Sequence, residues 1–333
     1  MGADMRVLVV GGAGYIGSHM VKHLGRAGCE VVTLDNLSGG YRDAVVYGDF
    51  VEGDLANRDL LDKLFSMHAF DVVMHFASFI QVGESVRRPD IYYRNNVVNS
   101  LNLLDAMVAH GVHQFIFSST AAIFGEPEAV PIDEHHIRAP INPYGRSKWM
   151  LEQMLEDYDR AFGLKSVCLR YFNAAGADPD GELGERHQPE THLIPLVLQV
   201  ASGRRESITV FGNDYDTPDG TCIRDYVHIA DLCEAHWQAV EYLGAGGISR
   251  QFNLGNGSGF SVRQVIDVAR AVTGKEIATC YADRREGDPA RLVADAALAR
   301  QVLGWIPKYA ELSTIVSHAW QWEQSFFNGS VQQ

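Results

Sequence analysis

A glycine-rich turn between an apolar strand and a helix is the sequence feature that most restricts how this chain can fold. A valine-rich run at Arg6–Val10 leads into Gly11, Gly14 and Gly17, which recur at three-residue spacing, and helical spacing follows over Ile16–Ala27. Glycines at these positions permit a tight turn and a close approach of the backbone to a pyrophosphate, whose charge the helix N-terminus stabilises. Because the turn joins a strand to a helix, it predicts a dinucleotide-binding βαβ unit.

Apolar runs and helical patterns alternate along the first half of the chain. We predict further strands at Glu30–Leu34, Phe50–Asp54, Asp71–Ala77, Gln114–Ser118 and Ser166–Asn173, and helices at Leu60–Met67, Tyr92–His110 and Leu151–Phe162. Such alternation is typical of a parallel sheet whose two faces are covered by helices. The predicted fold class is therefore α/β, a Rossmann-type doubly wound parallel sheet with a smaller α/β substrate-binding lobe.

Polar residues at the ends of the predicted strands indicate which dinucleotide binds. Asp35 ends the second strand, where a carboxylate can bind the ribose hydroxyls of adenosine and repels a 2′-phosphate, so NAD is favoured over NADP. Asp54 follows the third strand on the adenine side, with a helix cap as its alternative role. The fourth strand ends at Phe76-Ala77-Ser78, and ligands of such sheets bind at the carboxyl ends of the strands.

Tyr144 and Lys148 form a Tyr-x-x-x-Lys pair that would lie on one helix face, one turn apart. A free tyrosine has a pKa near ~10 and is a poor base at neutral pH, and a nearby ammonium lowers that pKa by favouring the phenolate. The pair is thus a candidate proton-transfer device beside the dinucleotide. Without the glycine turn, the same spacing is more often a solvated helix face.

Composition excludes several classes of protein. The formal net charge is −14 over 333 residues, whereas nucleic-acid binding needs a basic surface. No apolar run approaches the ~20 residues that cross a bilayer, and the N-terminal residues lack the form of a secretory signal. The five cysteines, odd in number and widely spaced, predict reduced thiols in a cytoplasmic protein. We therefore expect neither a nucleic-acid nor a membrane partner.

The histidines predict no metal site. Neither the neighbouring pair His135-His136 nor the pair His187 and His192 has the spacing of metal ligands, so we expect no bound metal.

The texture of the sequence changes after Asn173, where a stretch rich in Gly, Asp, Glu and Pro begins. We expect residues 1–173 to form an NAD-binding Rossmann domain to which about 222–258 return. Residues 174–333 would form mainly the substrate-binding lobe, which interleaves with the first because no low-complexity linker separates them.

Motifs throughout the chain are similar to those of the extended short-chain dehydrogenase/reductase family and, within it, of the nucleotide-sugar 4-epimerases. The matching stretches are Gly-Gly-Ala-Gly-Tyr-Ile-Gly-Ser-His (11–19), Leu-Asp-Asn-Leu-Ser (34–38), His-Phe-Ala (75–77), Val-Gly-Glu-Ser-Val (82–86), Tyr-Tyr-Arg-Asn-Asn (92–96), Phe-Ser-Ser-Thr-Ala (117–121), Asn-Pro-Tyr-Gly-Arg-Ser-Lys (142–148), Arg-Tyr-Phe-Asn (170–173), Phe-Gly-Asn-Asp-Tyr (211–215), Asp-Gly-Thr-Cys-Ile-Arg-Asp-Tyr-Val-His (219–228) and Arg-Arg-Glu-Gly-Asp (284–288). The stretches at 211–215 and 219–228 are the more specific to the 4-epimerases.

The resemblance implies a reversible inversion at C4 of a UDP-hexose, such as UDP-glucose or UDP-galactose, through a 4-keto sugar and a tightly bound NAD that is regenerated in each cycle. It makes Tyr144 the catalytic base, Lys148 its modulator, and Thr120 a hydrogen-bond partner of the sugar oxygen; a capped strand end is the alternative role of Thr120. It also implies a homodimer that pairs the helices Tyr92–His110 and Leu151–Phe162, whose apolar residues could instead pack internally.

The resemblance further implies two sets of binding residues. The cofactor set is Gly11, Gly14, Tyr15, Ile16, Gly17, Asp35, Asn36, Leu37, Ser38, Gly39, Gly40, Asp54, Leu55, Phe76, Ala77, Ser78, Ile80, Asn95, Thr120, Tyr144, Lys148 and Phe172. The substrate set is Thr120, Tyr144, Asn173, His192, Leu193, Thr209, Val210, Phe211, Arg224, Arg285, Asp288 and Leu292. Arginine suits a diphosphate because it offers several donors in a fixed plane. A structural pair with Asp225 is the alternative role of Arg224, and a solvated basic pair that of Arg284 and Arg285.

Three positions depart from the pattern of a well-known branch of the family. Ile80 replaces a cofactor-binding lysine, and His192 replaces an asparagine that touches the substrate. Leu292 lies near the position that gates the sugar pocket, where its intermediate size leaves the preference for plain or N-acetylated hexoses open.

Alternative functions remain at this point. A 4-epimerase of another UDP-sugar (an N-acetylhexosamine, a pentose or a glucuronate) keeps the same motifs. A 4,6-dehydratase needs an Asp-Glu pair directly after the Thr120 position, where this chain has Ala121-Ala122. A non-catalytic NAD sensor usually lacks the tyrosine or the lysine, and both are present here.

Overall fold

The computed structural model describes residues 5–285 and 288–327. Its strands are β1 (Arg6–Val10), β2 (Glu30–Asp35), β3 (Asp49–Glu52), β4 (Val72–His75), β5 (Gln114–Thr120), β6 (Lys165–Tyr171), β7 (Asn173–Ala175), β8 (Ile208–Phe211), β9 (Ile223–Arg224), β10 (Tyr226–His228), β11 (Arg250–Leu254), β12 (Phe260–Ser261), β13 (Thr279–Ala282) and β14 (Arg291–Leu292). The domain prediction for residues 1–4, 286–287 and 328–333 lies outside the described residues.

The helices are α1 (Tyr15–Arg26), α2 (Arg58–Met67), α3 (Val82–Arg87), α4 (Pro89–Tyr93), α5 (Asn99–Ala109), α6 (Pro143–Phe162), α7 (Leu193–Ala201), α8 (Ile229–Gly244), α9 (Val262–Thr273), α10 (Ala297–Leu303) and α11 (Leu312–Trp322). Short 3₁₀ turns occur at Arg42–Ala44 and Ala121–Ile123, and π-helical segments at Arg94–Val98 and Glu323–Phe327.

Seven parallel strands form the central sheet in the order β11-β6-β5-β4-β1-β2-β3. Alternate residues of β1 serve opposite faces: Val7 and Val9 pack with α1 and α8, while Leu8 and Val10 pack with α2, α5 and α6. The two central strands β1 and β4 are largely apolar and buried because helices cover both faces of the sheet. This confirms the predicted doubly wound parallel sheet.

The later part of the chain contributes both to this sheet and to smaller ones. It returns through α8 to place β11 beside β6 in parallel register, with Phe252 opposite Leu169. Elsewhere β10 pairs with β7, β13 with β8, and β9 lies between β12 and β14. A separate apolar core joins α7, α9 and α11 to strands β8 and β10.

The structure differs from the sequence-based expectation at two helices. α6 begins at Pro143 instead of Leu151, because the Asn142 side chain caps it by accepting the Gly145 N–H (2.9 Å). The predicted helix Tyr92–His110 is divided among α4, the π-helical segment Arg94–Val98 and α5. The earlier start of α6 places Tyr144 in its first turn.

Within residues 5–285 and 288–327, no helix combines the length and apolarity needed to cross a membrane. All five cysteines are free thiols.

Candidate active site

The glycine turn lies at the carboxyl end of β1 and leads into α1. The Gly11 N–H donates to Leu34 O (2.8 Å), and the Gly14 N–H donates to Gly11 O (3.3 Å). Gly14 is the N-cap of α1, where no side chain caps the helix and the first turn carries no acidic residue. The first-turn amides of Tyr15 and Ile16 and the helix dipole are therefore available to an anion at this sheet edge.

Packing explains two of the three spaced glycines. Gly11 has φ +81°, and a Cβ there would lie 2.5 Å from Ala77 N, while a Cβ on Gly17 would collide with Gly11 O. Among the described residues, a Cβ on Gly14 would meet Gly11 O alone, at an ordinary 3.5 Å. No other described protein atom thus fills the space beside Gly14, and a dinucleotide pyrophosphate needs such a space to approach the backbone closely. The residues present fit NAD.

Asp35 at the end of β2 holds the glycine turn from the side. Its Oδ2 accepts the Ala13 N–H (2.9 Å) and its Oδ1 accepts the Leu37 N–H (2.8 Å). Burial raises the pKa of Asp35, and the two amide donors oppose that shift. Asp35 therefore positions the glycine turn, and it lies at the strand end where the contact with the adenosine ribose is predicted.

The segment after Asp35 contains one residue with a strained backbone and several exposed residues. Leu37 has φ +58°, the one positive φ outside glycine among the described residues, and such strain is characteristic of functional sites. A Cβ on Gly40 would lie 2.6 Å from the Ala13 carbonyl carbon, so this segment packs tightly on the glycine turn. Asn36, Ser38 and Gly39 are exposed on its outer side.

Asp54 links the ends of β2 and β3. It accepts hydrogen bonds from Asn36 Nδ2 (2.7 Å) and the Ala56 N–H (2.8 Å). The helix-cap alternative for Asp54 is wrong, because Asn57 caps α2 by accepting the Leu60 N–H (3.1 Å). The neighbouring Leu55 side chain is buried in the core.

The chain that leaves β4 is held by a buried amide that the sequence analysis did not select. Asn96 Oδ1 accepts the Phe79 N–H (2.9 Å), while its Nδ2 donates to Phe79 O (3.1 Å) and Ser147 Oγ (3.0 Å). Asn95, the predicted cofactor contact, donates to Asn96 Oδ1 (2.9 Å). Ile80, which replaces a lysine of the related branch, is exposed.

Tyr144 and Lys148 both lie on α6, but Lys148 is turned toward the sheet. Its Nζ donates to Ser78 Oγ and to Ser118 O, each at 2.8 Å, and lies 4.8 Å from the centroid of the Phe117 ring. Lys148 thereby ties α6 to the ends of β4 and β5, where the carboxyl edge of the sheet is predicted to bind the cofactor.

Burial dominates the titration of both groups. It lowers the pKa of Lys148 to about 7, against the opposing charge of Glu152. Burial raises the pKa of Tyr144, and the neighbouring Thr120 hydroxyl opposes that shift. The expectation that Lys148 lowers the Tyr144 pKa is not met in this structure, because the ammonium donates to Ser78 and Ser118 instead.

Thr120 ends β5 and serves two partners. Its Oγ1 accepts the Ala122 N–H (3.1 Å), so the strand-capping role exists, and its hydroxyl is near enough to Tyr144 to lower the pKa of the phenol. An apolar cluster formed by Ala121, Ile123, Phe124 and Ile132 lies next to it, and Phe172 and Leu292 pack against this cluster. The structure therefore brings the predicted sugar-gate residue beside the segment that follows Thr120.

A buried ion pair that the sequence analysis missed lies beneath the site. Glu152 and Arg170, each at most 2% exposed, are joined by an Oε2–Nη2 contact of 2.5 Å, and Ser119 Oγ donates to Glu152 Oε1 (2.6 Å). An acidic residue one turn after Lys148 on α6 was the available signal. The pair links α6 and β5, which carry the candidate catalytic residues, with β6.

Arg224 in the second lobe pairs with Asp288. Its Nη1 also donates to Pro289 O (2.9 Å). The alternative pairing with Asp225 is wrong, because that carboxylate instead accepts the backbone N–H groups of Asn256 (2.7 Å), Gly257 (3.1 Å) and Ala294 (3.1 Å). Asn173 joins the two parts of the site by donating to Asp225 O (2.8 Å).

Arg285 stacks on Phe211, with its guanidinium carbon 3.9 Å from the ring centroid. Thr209 and Phe211 are partly exposed on β8, whereas Val210 is buried in the core of the second lobe. Arg284 binds Asp214 through Nε (2.8 Å) and lies over Tyr215. Of these two neighbouring arginines, Arg284 has a carboxylate partner and Arg285 has none among the ion pairs of the described residues, which leaves the Arg285 donors for a ligand.

His192 lies at the N-cap of α7, directly before the partly buried Leu193. Its Nδ1 is 2.7 Å from Glu185 Oε1 and 3.0 Å from Glu190 Oε1. Although burial opposes the shift, these carboxylates raise the pKa of His192 to about 10 and that of His187 to about 9. The spacing of the histidines alone did not predict their grouping with two glutamates.

Known proteins match this chain over almost its full length. The model of the NAD dependent epimerase/dehydratase family matches residues 7–255. A UDP-glucose 4-epimerase of Halalkalibacterium halodurans is 52% identical over 325 residues, which are 98% of this chain and 97% of that protein. The structure of a UDP-glucose 4-epimerase from Brucella ovis in complex with NAD has a TM-score of 0.93 at 49% identity, and covers 95% of this chain and 97% of its own.

A second structure is that of a UDP-glucose 4-epimerase from Stenotrophomonas maltophila with bound NAD and formylated UDP-arabinopyranose. It has a TM-score of 0.94 at 37% identity, covering 98% of this chain and 99% of its own. With a family match over most of the chain and half of its residues identical to a full-length relative, this chain belongs to the NAD dependent epimerase/dehydratase family.

Proposed function

We propose that this chain catalyses the reversible inversion at C4 of a UDP-hexose and interconverts UDP-glucose and UDP-galactose. The observation that carries the proposal is the placement of Tyr144, in the first turn of α6, beside the end of β5 at Thr120, on the carboxyl edge of the sheet along which the glycine turn also lies. When bound, NAD supplies a positively charged acceptor that takes the C4 hydride and returns it to the other face of the sugar. The relatives named UDP-glucose 4-epimerase support this assignment.

Tyr144 takes the proton of the 4-hydroxyl in the first half-reaction and gives it back in the second. Burial keeps the Tyr144 pKa high, so the phenol is protonated until positive charge favours the phenolate. Lys148 is held by Ser78 and Ser118 on the sheet side of α6, and its pKa of about 7 keeps a share of it protonated at neutral pH. Thr120 orients the phenol toward the sugar oxygen, as general acid–base catalysis requires.

The second lobe holds the nucleotide while the sugar is free to turn. Arg224 is oriented by Asp288, and Arg285 is oriented by stacking on Phe211, which suits both to a diphosphate. Since the 4-keto sugar must present its other face before the hydride returns, strong contacts belong on the UDP and weak ones on the hexose.

The first experiment compares Tyr144→Phe with Tyr158→Phe, a tyrosine of the same helix that bonds Asp105 (2.5 Å) instead of Thr120. Turnover of UDP-galactose should fall by roughly two to four orders of magnitude in Tyr144→Phe, the usual contribution of one acid–base group. NAD binding should persist in that variant, and the Tyr158→Phe enzyme should retain activity. Near-normal turnover in Tyr144→Phe would contradict the proposed base.

A panel of UDP-sugars with product separation tests the sugar range. The chain has methyl groups at Ala121 and Ala122, where a 4,6-dehydratase needs an acid and a base, so epimers and no dehydrated product are expected. Absorbance at the nicotinamide band should not grow in proportion to substrate, because NAD is regenerated. Products from UDP-N-acetylhexosamine, UDP-pentose or UDP-glucuronate alone would assign the enzyme to another UDP-sugar.

We also infer a homodimer that works in the cytoplasm. The helices α5 and α6 bury Leu104 and Leu151, but Leu101 and Met150 on them remain 38% and 41% exposed. Apolar residues on an open helix face favour pairing with a second copy, and five free thiols suit a reducing compartment. Sedimentation should show a dimer that Leu101→Glu with Met150→Glu dissociates and Met67→Glu, an exposed methionine of α2, does not.

A further inference from the structure

Four potential metal ligands converge in the loop that precedes α7. Glu185, His187, Glu190 and His192 each direct one donor atom toward a common centre, and these four atoms lie within 4.8 Å of one another. The Glu185 and Glu190 side chains are 6% and 7% exposed, so they are withdrawn from water. Buried carboxylates need partners, which here are the two histidines and, for Glu190 Oε1, also the N–H groups of Thr191 (2.7 Å) and His192 (2.8 Å).

The donor atoms of the four residues are close neighbours. His187 Nδ1 is 3.0 Å from Glu185 Oε1 and 3.7 Å from Glu190 Oε2, and His192 Nδ1 is 2.7 Å from Glu185 Oε1 and 3.0 Å from Glu190 Oε1. Tetrahedral zinc with ligand bonds of ~2.0–2.2 Å separates its donors by about 3.3–3.6 Å. The closest pair, at 2.7 Å, would have to open by about 0.6–0.9 Å and the wider separations, up to 4.8 Å, would have to close for the ion to enter.

Hydrogen bonding alone explains this arrangement incompletely. One Nδ1 carries at most one proton, yet each of the two Nδ1 atoms faces both carboxylates. Glu185 Oε1 in turn faces both histidines. Two Nδ1 protons thus serve four contacts of 2.7–3.7 Å, whereas one divalent cation would bind both Nδ1 atoms and neutralise both carboxylates.

We propose that Glu185, His187, Glu190 and His192 form a structural zinc(II) site. Imidazole nitrogen and carboxylate oxygen are both ligands of zinc, and four protein ligands close the shell without an open position for substrate. The four residues lie within eight positions of the chain, so little chain entropy opposes assembly of the site.

The site would fasten this loop between the cofactor side and the second lobe. The His187 ring lies edge-on to the Tyr15 ring of α1 at 6.1 Å, and Arg186 binds Asp43 through two contacts of 2.8 and 3.0 Å. On the other side, the indole N–H of Trp322 in α11 donates to Glu185 O (3.3 Å). The inference does not depend on the proposed reaction, in which zinc has no step.

The test begins with metal content. The full chain, purified without a metal-affinity tag, is stripped with a chelator, dialysed with zinc chloride and analysed by mass spectrometry of the metal and by X-ray absorption at the zinc edge. We expect one zinc per chain in a nitrogen–oxygen shell at about 2.0–2.2 Å. Zinc should also raise Tm by several degrees once its concentration is far above Kd. Zinc far below one per chain would overturn the proposal, and so would a sulfur ligand, which would place the ion at a cysteine.

Matched double variants locate the ion. His187→Gln with Glu190→Gln removes one histidine and one carboxylate together, which keeps polar groups in place and leaves no unbalanced charge from this pair. His135→Gln with Glu128→Gln makes the same exchange at exposed residues outside the cluster. The first variant should lose the zinc and the Tm rise, and the second should keep both. Equal zinc binding by the two variants would refute the assigned ligands, and the chelator-treated wild type provides the zinc-free reference Tm.

Discussion

Gly14 and Gly17 differ in the space around them, so the same substitution to alanine should affect different properties. We expect it to lower stability at Gly17 and NAD affinity at Gly14. Gly17→Ala forces a methyl group onto Gly11 O, and we expect a loss of stability of about 2–4 kcal/mol, as for other overpacked positions. Gly14→Ala meets one atom at an ordinary distance, and its φ of −78° suits any residue. Its methyl group would instead occupy the proposed pyrophosphate path, so NAD affinity should fall by roughly tenfold or more while stability changes little.

Urea unfolding and NAD titration of both variants separate the two effects. A stable Gly14→Ala chain that binds NAD normally would show that the open side of Gly14 does not face the cofactor.

Leu292 is the residue at which we expect sugar preference to be set. It packs against the apolar cluster that begins at Ala121, directly after Thr120. A larger ring in its place reduces the room for a 2-acetamido group more than for a hydroxyl, so Leu292→Tyr should lower the activity ratio of N-acetylated to plain UDP-hexose by about tenfold. The measurement is kcat/KM for both sugars, with Leu292→Met as the volume-conserving control. An unchanged ratio in the tyrosine variant would refute the gate.

Asn96 joins three elements from within the π-helical segment Arg94–Val98. Asn96→Ala removes its bonds to the Phe79 backbone and to Ser147 Oγ and leaves buried polar groups without partners, each worth about 1–3 kcal/mol. We expect stability to fall by roughly 3 kcal/mol in urea unfolding. Asn95→Ala loses one bond to a side chain and should change stability by less than about 1 kcal/mol. Similar losses in the two variants would show that the amide of Asn96 has no special structural role.

The elements themselves were predictable where a local rule decides them. The predicted and the observed β1 both cover Arg6–Val10. A short valine-rich run between polar residues and a glycine turn is typical of a buried strand. The start of α6 was also in the sequence, since Asn142 followed by Pro143 is an N-cap with proline at the first helical position. The prediction was wrong because it followed apolar spacing, which begins later on this helix.

Several of the contacts that sequence reasoning missed depend on partners far away along the chain. Lys148 bonds Ser78, which is 70 residues distant, and Arg224 bonds Asp288 across 64 residues. Spacing identified each of these residues as a site candidate, but only the fold decides which carboxylate or hydroxyl each one meets. The sequence therefore predicted that Tyr144 and Lys148 act together, but it did not predict the direction in which the pKa of each is shifted.

At the scale of the whole molecule, the fold keeps several histidines uncharged. Burial lowers the pKa of His75 and His228 to about 3 and that of His236 to about 4. In the unfolded chain each returns to about 6.5. Above pH 6.5 these residues are neutral in both states and cost nothing, but below it the unfolded chain binds protons that the folded chain does not. Stability should therefore fall as pH drops from about 6.5 toward 4.

The expected slope follows from the number of protons. Three histidines that differ fully in protonation give a slope of about 4 kcal/mol per pH unit near pH 5, on top of the contribution of other groups. Urea unfolding at pH 7.5, 6 and 5 measures it. His236→Leu replaces a ring whose Nε2 has no partner by an apolar group and should reduce the slope by about one proton, whereas His113→Leu, at an exposed position, should leave it unchanged. If the two variants changed the slope equally, burial of the histidines would not be what makes this fold sensitive to acid.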